Sequence, residues 1–202
     1  MIPLSTSIFK IFLNCCANRQ PPTCAAIILS MSTGLNVLIK HQEIEREVAR
    51  LARAIRRDYT DKDPLLIGIL KGSFIFMADL VREIAMPLEI DFIRLSSYGG
   101  GTESTGKIKL LSRLNEPVEG RHVLIVEDII DTGLTTAYFI KYLKRKRAAS
   151  VRLCALTEKP SRRRTEVKID YPGFTVPDKF IVGYGIDWNE KYRNLRDICY
   201  IE

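Results

Sequence analysis

Apolar residues follow two rhythms along this chain, and the rhythms alternate. Within residues 42–58, Ile44, Val48, Leu51 and Ile55 recur at helical spacing, the stripe of an amphipathic helix that Asp63-Pro64 breaks. Leu65–Leu70 is a continuous apolar run of strand length, so it reads as a strand covered on both faces. Phe74–Ile84 reads as a helix closed by Pro87, and Leu88, Ile90 and Phe92 alternate with Glu89 and Asp91 as a strand does. A glycine-rich loop over 97–107 leads to a strand at Ile108–Leu111. A second fully apolar strand, His122–Val126, a helix over about 134–147 and a strand at Val151–Leu156 follow. The tail, 165–202, holds short strand-like pieces, Glu166–Ile169 and Lys179–Tyr184, with turns between them. Strands alternating with helices predict an α/β fold: a mostly parallel, twisted sheet flanked by helices, with a small hood from the C-terminal segment.

Ligands in such sheets sit at the carboxyl ends of the strands, and two stretches there carry chemistry. The first is Val126-Glu127-Asp128-Ile129-Ile130-Asp131-Thr132-Gly133-Leu134-Thr135-Thr136. Three carboxylates are followed by small and hydroxylated residues that open a helix. Backbone N–H groups and hydroxyls at a helix start cradle a phosphate, and the carboxylates suit a Mg²⁺-bound sugar beside it. The second is Leu70-Lys71-Gly72-Ser73, a strand-to-helix turn in which glycine permits close ligand approach and lysine supplies charge.

Composition narrows the choice. The 202 residues, 46% hydrophobic and 27% charged, suit one globular domain, and no apolar run reaches the ~20 residues of a membrane helix. A net charge of +7 favours phosphorylated ligands or polyanions. The five cysteines form no CxxC pattern; Cys154 and Cys199 read as small core residues of a protein kept in a reducing cytoplasm. Residues 1–32 stand apart: the first thirty carry no acid, only Lys10 and Arg19, and Met31 offers an alternative start. They are set aside as an N-terminal extension to a domain spanning 33–202. Two basic clusters, Lys144–Arg147 and Arg162–Arg164, read as solvated surface.

The acidic stretch resembles the ribose-phosphate signature of the type I phosphoribosyltransferases, and its form Glu-Asp-Ile-Ile-Asp-Thr-Gly is similar to that of the hypoxanthine-guanine members. The resemblance covers about 36–202 and implies purine salvage: Mg²⁺-dependent transfer of the 5-phosphoribosyl group from phosphoribosyl diphosphate to hypoxanthine or guanine. It implies that Thr132, Gly133, Leu134, Thr135 and Thr136 hold the 5′-phosphate, and that Glu127 and Asp128 bind the ribose hydroxyls or their Mg²⁺, with Ile129 and Ile130 lining the same strand. Asp131 is implied as general base toward the purine N7, and Lys71 and Gly72 as the diphosphate loop, with a cis peptide between Leu70 and Lys71. Ser97 and Tyr98 head a lid. The resemblance further implies that Phe180 stacks on the purine, that Lys168 donates to its O6, and that backbone around Ile181, Val182 and Asp187 meets its far edge. It implies too that Asp187 holds a second Mg²⁺ and that Arg193 reaches the diphosphate. A homodimer or homotetramer is implied, without nucleic-acid or membrane partners. The alternative within the same fold is a regulator that senses phosphoribosyl diphosphate and binds nucleic acid through the basic clusters.

Overall fold

The computed structural model describes residues 34–98 and 107–202 of the chain. The short Leu35–Ile39 (β1) leads into His41–Tyr59 (α1), then Leu65–Leu70 (β2), Phe74–Ile84 (α2) and Glu89–Tyr98 (β3). Lys107–Leu110 (β4), His122–Ile130 (β5), Leu134–Arg145 (α3) and Ser150–Glu158 (β6) follow. A single 3₁₀ turn at Pro160–Arg162 precedes Tyr171–Thr175 (β7), Phe180–Val182 (β8) and Ile198–Ile201 (β9).

Six strands form the main sheet in the order β4-β3-β2-β5-β6-β7. All neighbours are parallel except β3 and β4, which pair antiparallel at the edge. Successive side chains of a strand point to opposite faces, and the central strands show why they are apolar throughout. Leu65, Ile67, Ile69, Val123 and Ile125 pack in one layer beneath Phe139 and Leu143 of α3. Leu66, Leu124 and Val126 pack in the other, beneath the buried stripe of α1 (Ile44, Val48, Leu51, Ile55) and Phe76, Met77 and Leu80 of α2. The mostly parallel sheet flanked by helices is therefore as expected. Among the described residues no helix is long and apolar enough to cross a membrane.

The hood differs in its making. It is a separate three-stranded antiparallel sheet, β1-β9-β8, so Leu35–Ile39 from the start of the domain forms one edge. The expected strand Glu166–Ile169 is also displaced: Val167 and Ile169 only lean on the α3 layer, and the sheet's last strand is β7. Pro172 and Gly173 mask that strand in the sequence. An edge position tolerates proline, and glycine is needed because a Cβ at 173 would run into the Leu156 carbonyl. Of the loop expected over 97–107, Ser97 and Tyr98 end β3 and Lys107 begins β4, while 99–106 lie outside the described residues, as does the expected N-terminal extension 1–32.

Candidate active site

The site is assembled where β2 and β5 end. Alternation along β5 turns Glu127 toward α3 and Asp128 toward α2. The Thr136 hydroxyl, one turn into α3, donates to Glu127 Oε1 at 3.1 Å. Asp128 lies against Gly72, where any Cβ would strike its carboxyl group, so glycine is required there by close approach. Both acids are buried, at 6% and 9% exposure. Burial, reinforced by the neighbouring Asp128, raises the Glu127 carboxyl well above the usual range. Burial likewise pushes Asp128 up to about 6, against the opposing pull of backbone N–H groups and Arg193. Ile129 and Ile130 pack into opposite apolar layers and so contribute only backbone.

A pH effect follows. An unfolded aspartate loses its proton near pH 4, whereas folded Asp128 keeps it to about pH 6. The folded state therefore binds the extra proton in this window, and its contribution to stability is present at low pH and lost as pH rises through 6. Asp128→Asn removes the unfavourable charge. We expect it to raise the melting temperature of the ligand-free protein at pH 8 by up to about 10 °C, equivalent to ~3 kcal/mol, and to leave it unchanged at pH 4. Thermal unfolding at the two pH values checks this; an equal shift at both would mean that packing, not charge, is responsible.

The loop after β5 is shaped for an anion. Gly133 caps α3 in the left-handed region (φ +78), and the place of its missing Cβ is taken by the Thr165 carbonyl. Leu134, Thr135 and Thr136 form the first turn, whose N–H groups have no intrahelical partner and point toward any bound phosphate. The chain from 163 to 165 straps this loop down: N–H groups of Arg164 and Thr165 both donate to the Thr132 carbonyl at 3.0 Å.

Opposite it, the Leu70–Lys71 peptide is cis, as expected. Lys71 Nζ lies 2.9 Å from Glu190 Oε1, and Arg193 reaches Glu190 Oε2 at 3.1 Å and Asp187 Oδ1 at 2.8 Å. The two cations expected at the diphosphate thus converge, sharing one carboxylate. Asp187 Oδ2 accepts from the Glu190 N–H, so both its oxygens are already engaged. Gly185 (φ +102) brings the hood onto the Gly72 carbonyl, in a space no Cβ fits.

The aromatic side lies in the hood. Phe180 is 52% exposed although it begins a strand, and it meets Trp188 edge-on at 6.4 Å. Ile181 and Val182 are buried in the hood, so they too can offer only backbone. Lys168 is not brought here. Its side chain is 85% exposed and pairs with Asp170, which itself accepts from the Leu153 N–H. The lysine at the site is Lys159, which sequence reasoning missed. It is 6% exposed, its N–H bonds the Ile130 carbonyl, and Nζ donates to the carbonyl of Lys179, next to Phe180, at 2.6 Å. Burial lowers the pKa of Lys159, while Asp131 nearby opposes that shift. Its sequence signal was its place immediately after β6, at a strand's carboxyl end.

The cluster Arg162–Arg164 is not simple surface either. Arg162 Nε lies 2.9 Å from Asp131 Oδ1, and Arg163 pairs with Glu158 at 3.0 Å. Lys144–Arg147, in contrast, is exposed as expected, at the end of α3. Ser97 and Tyr98 close the β3 ladder opposite Ile108 and Lys107.

Among the described residues no three His, Cys, Asp or Glu side chains gather into a metal site. A Mg²⁺ at Glu127 and Asp128 therefore needs ligand oxygens as well, the usual habit of that ion. The two acids leave β5 on opposite faces, so they do not clasp one ion between them; each is a buried carboxylate whose ionisation is opposed, and each fits sugar hydroxyls or a dication carried in on ligand oxygens.

Comparison with known proteins agrees with this geometry. The model of the phosphoribosyl transferase domain family matches residues 36–189. The hypoxanthine-guanine phosphoribosyltransferase of Bacillus subtilis is 47% identical over 159 residues, covering 79% of this chain and 88% of that protein. The hypoxanthine phosphoribosyltransferase of Salmonella typhimurium is 44% identical over 167 residues, covering 82% and 94%. Among solved structures, a hypoxanthine phosphoribosyltransferase from Staphylococcus aureus superposes with a TM-score of 0.82 at 38% identity, over 87% of this chain and 95% of that one.

Proposed function

The chain belongs to the phosphoribosyl transferase family, and we propose that it transfers the 5-phosphoribosyl group from phosphoribosyl diphosphate to N9 of hypoxanthine or guanine, a purine-salvage reaction. The observation that carries the reading is the convergence, at one end of the sheet, of Asp131 and its phosphate loop with the buried Lys159 and the half-exposed ring of Phe180.

The residues divide the work. Thr132–Thr136 and the start of α3 hold the 5′-phosphate. Lys71 and Arg193, released from Glu190, meet the diphosphate. Phe180 stacks on the planar base. Lys159 donates to its O6, the role first expected of Lys168. As the C1′–oxygen bond to diphosphate breaks, electron density from N9 forms the new C1′–N9 bond, and the N7 proton passes to the Asp131 carboxylate. Glu127 and Asp128 hold the ribose hydroxyls and would hold a Mg²⁺; Asp187 would hold a second by sharing its oxygens with Arg193. Bound with substrate oxygens, Mg²⁺ supplies neutralisation of the charge that develops on the diphosphate. A cytoplasmic setting accords with the free thiols of Cys154 and Cys199, and a homodimer or homotetramer goes with the family resemblance.

The test is nucleotide formation from phosphoribosyl diphosphate and Mg²⁺ with hypoxanthine, guanine, xanthine and adenine in parallel. Hypoxanthine and guanine should turn over and adenine should not. Folded protein that converts none of the four would overturn the reading.

A further inference from the structure

We propose that Arg162 is a positioning residue for Asp131, holding the carboxylate by one oxygen and registering it against the strand that carries Phe180. The inference rests on the reading of Asp131 as the base. Its geometry is a bridge of two contacts: Arg162 Nε lies 2.9 Å from Asp131 Oδ1, and Nη1 lies 3.4 Å from Asp178 Oδ1, two residues before Phe180. The base and the stacking ring belong to different parts of the fold, the loop after β5 and the hood. Arg162 joins them through a 3₁₀ turn whose first residues are fixed from beneath by buried Lys159.

Two details point to orientation rather than to stability. Arg162, Asp131 and Asp178 are 49%, 40% and 54% exposed, and ion pairs so open to water contribute little to folding. Asp131 Oδ1, moreover, is itself closed to solvent although the side chain is not, and it accepts no hydrogen bond: Arg162 meets it as an ion pair alone. Contact with Arg162 therefore leaves the Oδ2 side of the group open toward an arriving N7–H. A carboxylate free to rotate would present the wrong oxygen or the wrong angle for much of the time. Misplacement of a reacting group on this scale costs up to about 10²-fold in rate.

The experiment is single-turnover nucleotide formation with hypoxanthine, phosphoribosyl diphosphate and Mg²⁺, using the full chain. Arg162→Gln should slow this rate by about 10- to 100-fold. The nucleotide product should bind within about threefold of the parent, and the melting temperature should stay within about 3 °C. Arg162→Lys, which keeps the charge and can reach one acid but not both, should recover most of the loss. Asp178→Asn should slow the reaction less, and combining it with Arg162→Gln should add nothing further. A rate for Arg162→Gln within twofold of the parent would overturn the proposal. So would a loss matched by equally weakened nucleotide binding, or a lysine variant no faster than the glutamine one. Asp131→Asn is run alongside: if it remains active, the reading of the base fails first; if it is inactive while the Arg162 variants behave as the parent, only the positioning role fails.

Discussion

Asp131→Asn should form nucleotide at a rate about 10²- to 10⁴-fold below the parent, while the nucleotide product binds with little change. The amide has nearly the shape of the carboxylate but cannot take the N7 proton. The phosphate loop next to it is held by other contacts: the strap onto the Thr132 carbonyl and the glycine cap of α3. Product affinity, which depends on that loop and on Phe180, is therefore separable from proton transfer. Rapid-quench kinetics and calorimetric titration with the nucleotide measure the two quantities. A parallel fall in both would remove Asp131 from the role of base and make it a binding residue.

Lys159→Met should lower kcat/KM for hypoxanthine by about 10- to 150-fold, the effect of one lost charge-assisted hydrogen bond of ~1.5–3 kcal/mol, with KM for phosphoribosyl diphosphate nearly unchanged. Methionine keeps the length and apolar stem of the side chain. It also removes a buried cation whose one side-chain hydrogen bond is to the Lys179 carbonyl, so the fold loses little. Lys168→Gln is the control, expected within twofold of the parent, because its side chain stands in solvent beside Asp170. Steady-state kinetics on both variants decide which lysine serves the base. A severe defect in Lys168→Gln with a normal Lys159→Met would reverse the assignment.

The contrast between these lysines shows where sequence reading reached and where it stopped. Glu127, Asp128, Asp131 and the phosphate loop are contiguous, so one strand-to-helix junction displayed them together. β2, α1 and α2 were legible for a related reason: each element's own apolar pattern decides its burial. Nothing local distinguishes Lys159 from Lys168 in that way. Both precede Phe180 in a stretch without periodicity, and burial of one depends on Lys179 folding back over it. Only its position directly after β6 set Lys159 apart, whereas Lys168 sits between the inward-leaning Val167 and Ile169 and so faces out. The same limit concealed Arg162. Three consecutive arginines look like surface until the 3₁₀ turn aims one at Asp131 and another at Glu158. β1 and β7 were lost for a different reason: a strand of five residues at a sheet edge is defined by its partner more than by its own residues.

The hood's strand order bears on when the site comes into being. The strand that begins with Phe180 is held in its sheet by β9 alone, and β9 in turn joins Leu35 to Ile201, the most widely separated pairing in the fold. Contacts so distant in sequence are made late, after the nearer pairings of β2, β5 and β6 have assembled. A chain still being synthesised, with Ile198–Ile201 not yet available, thus has its phosphate cradle in place but no wall against which a purine can stack.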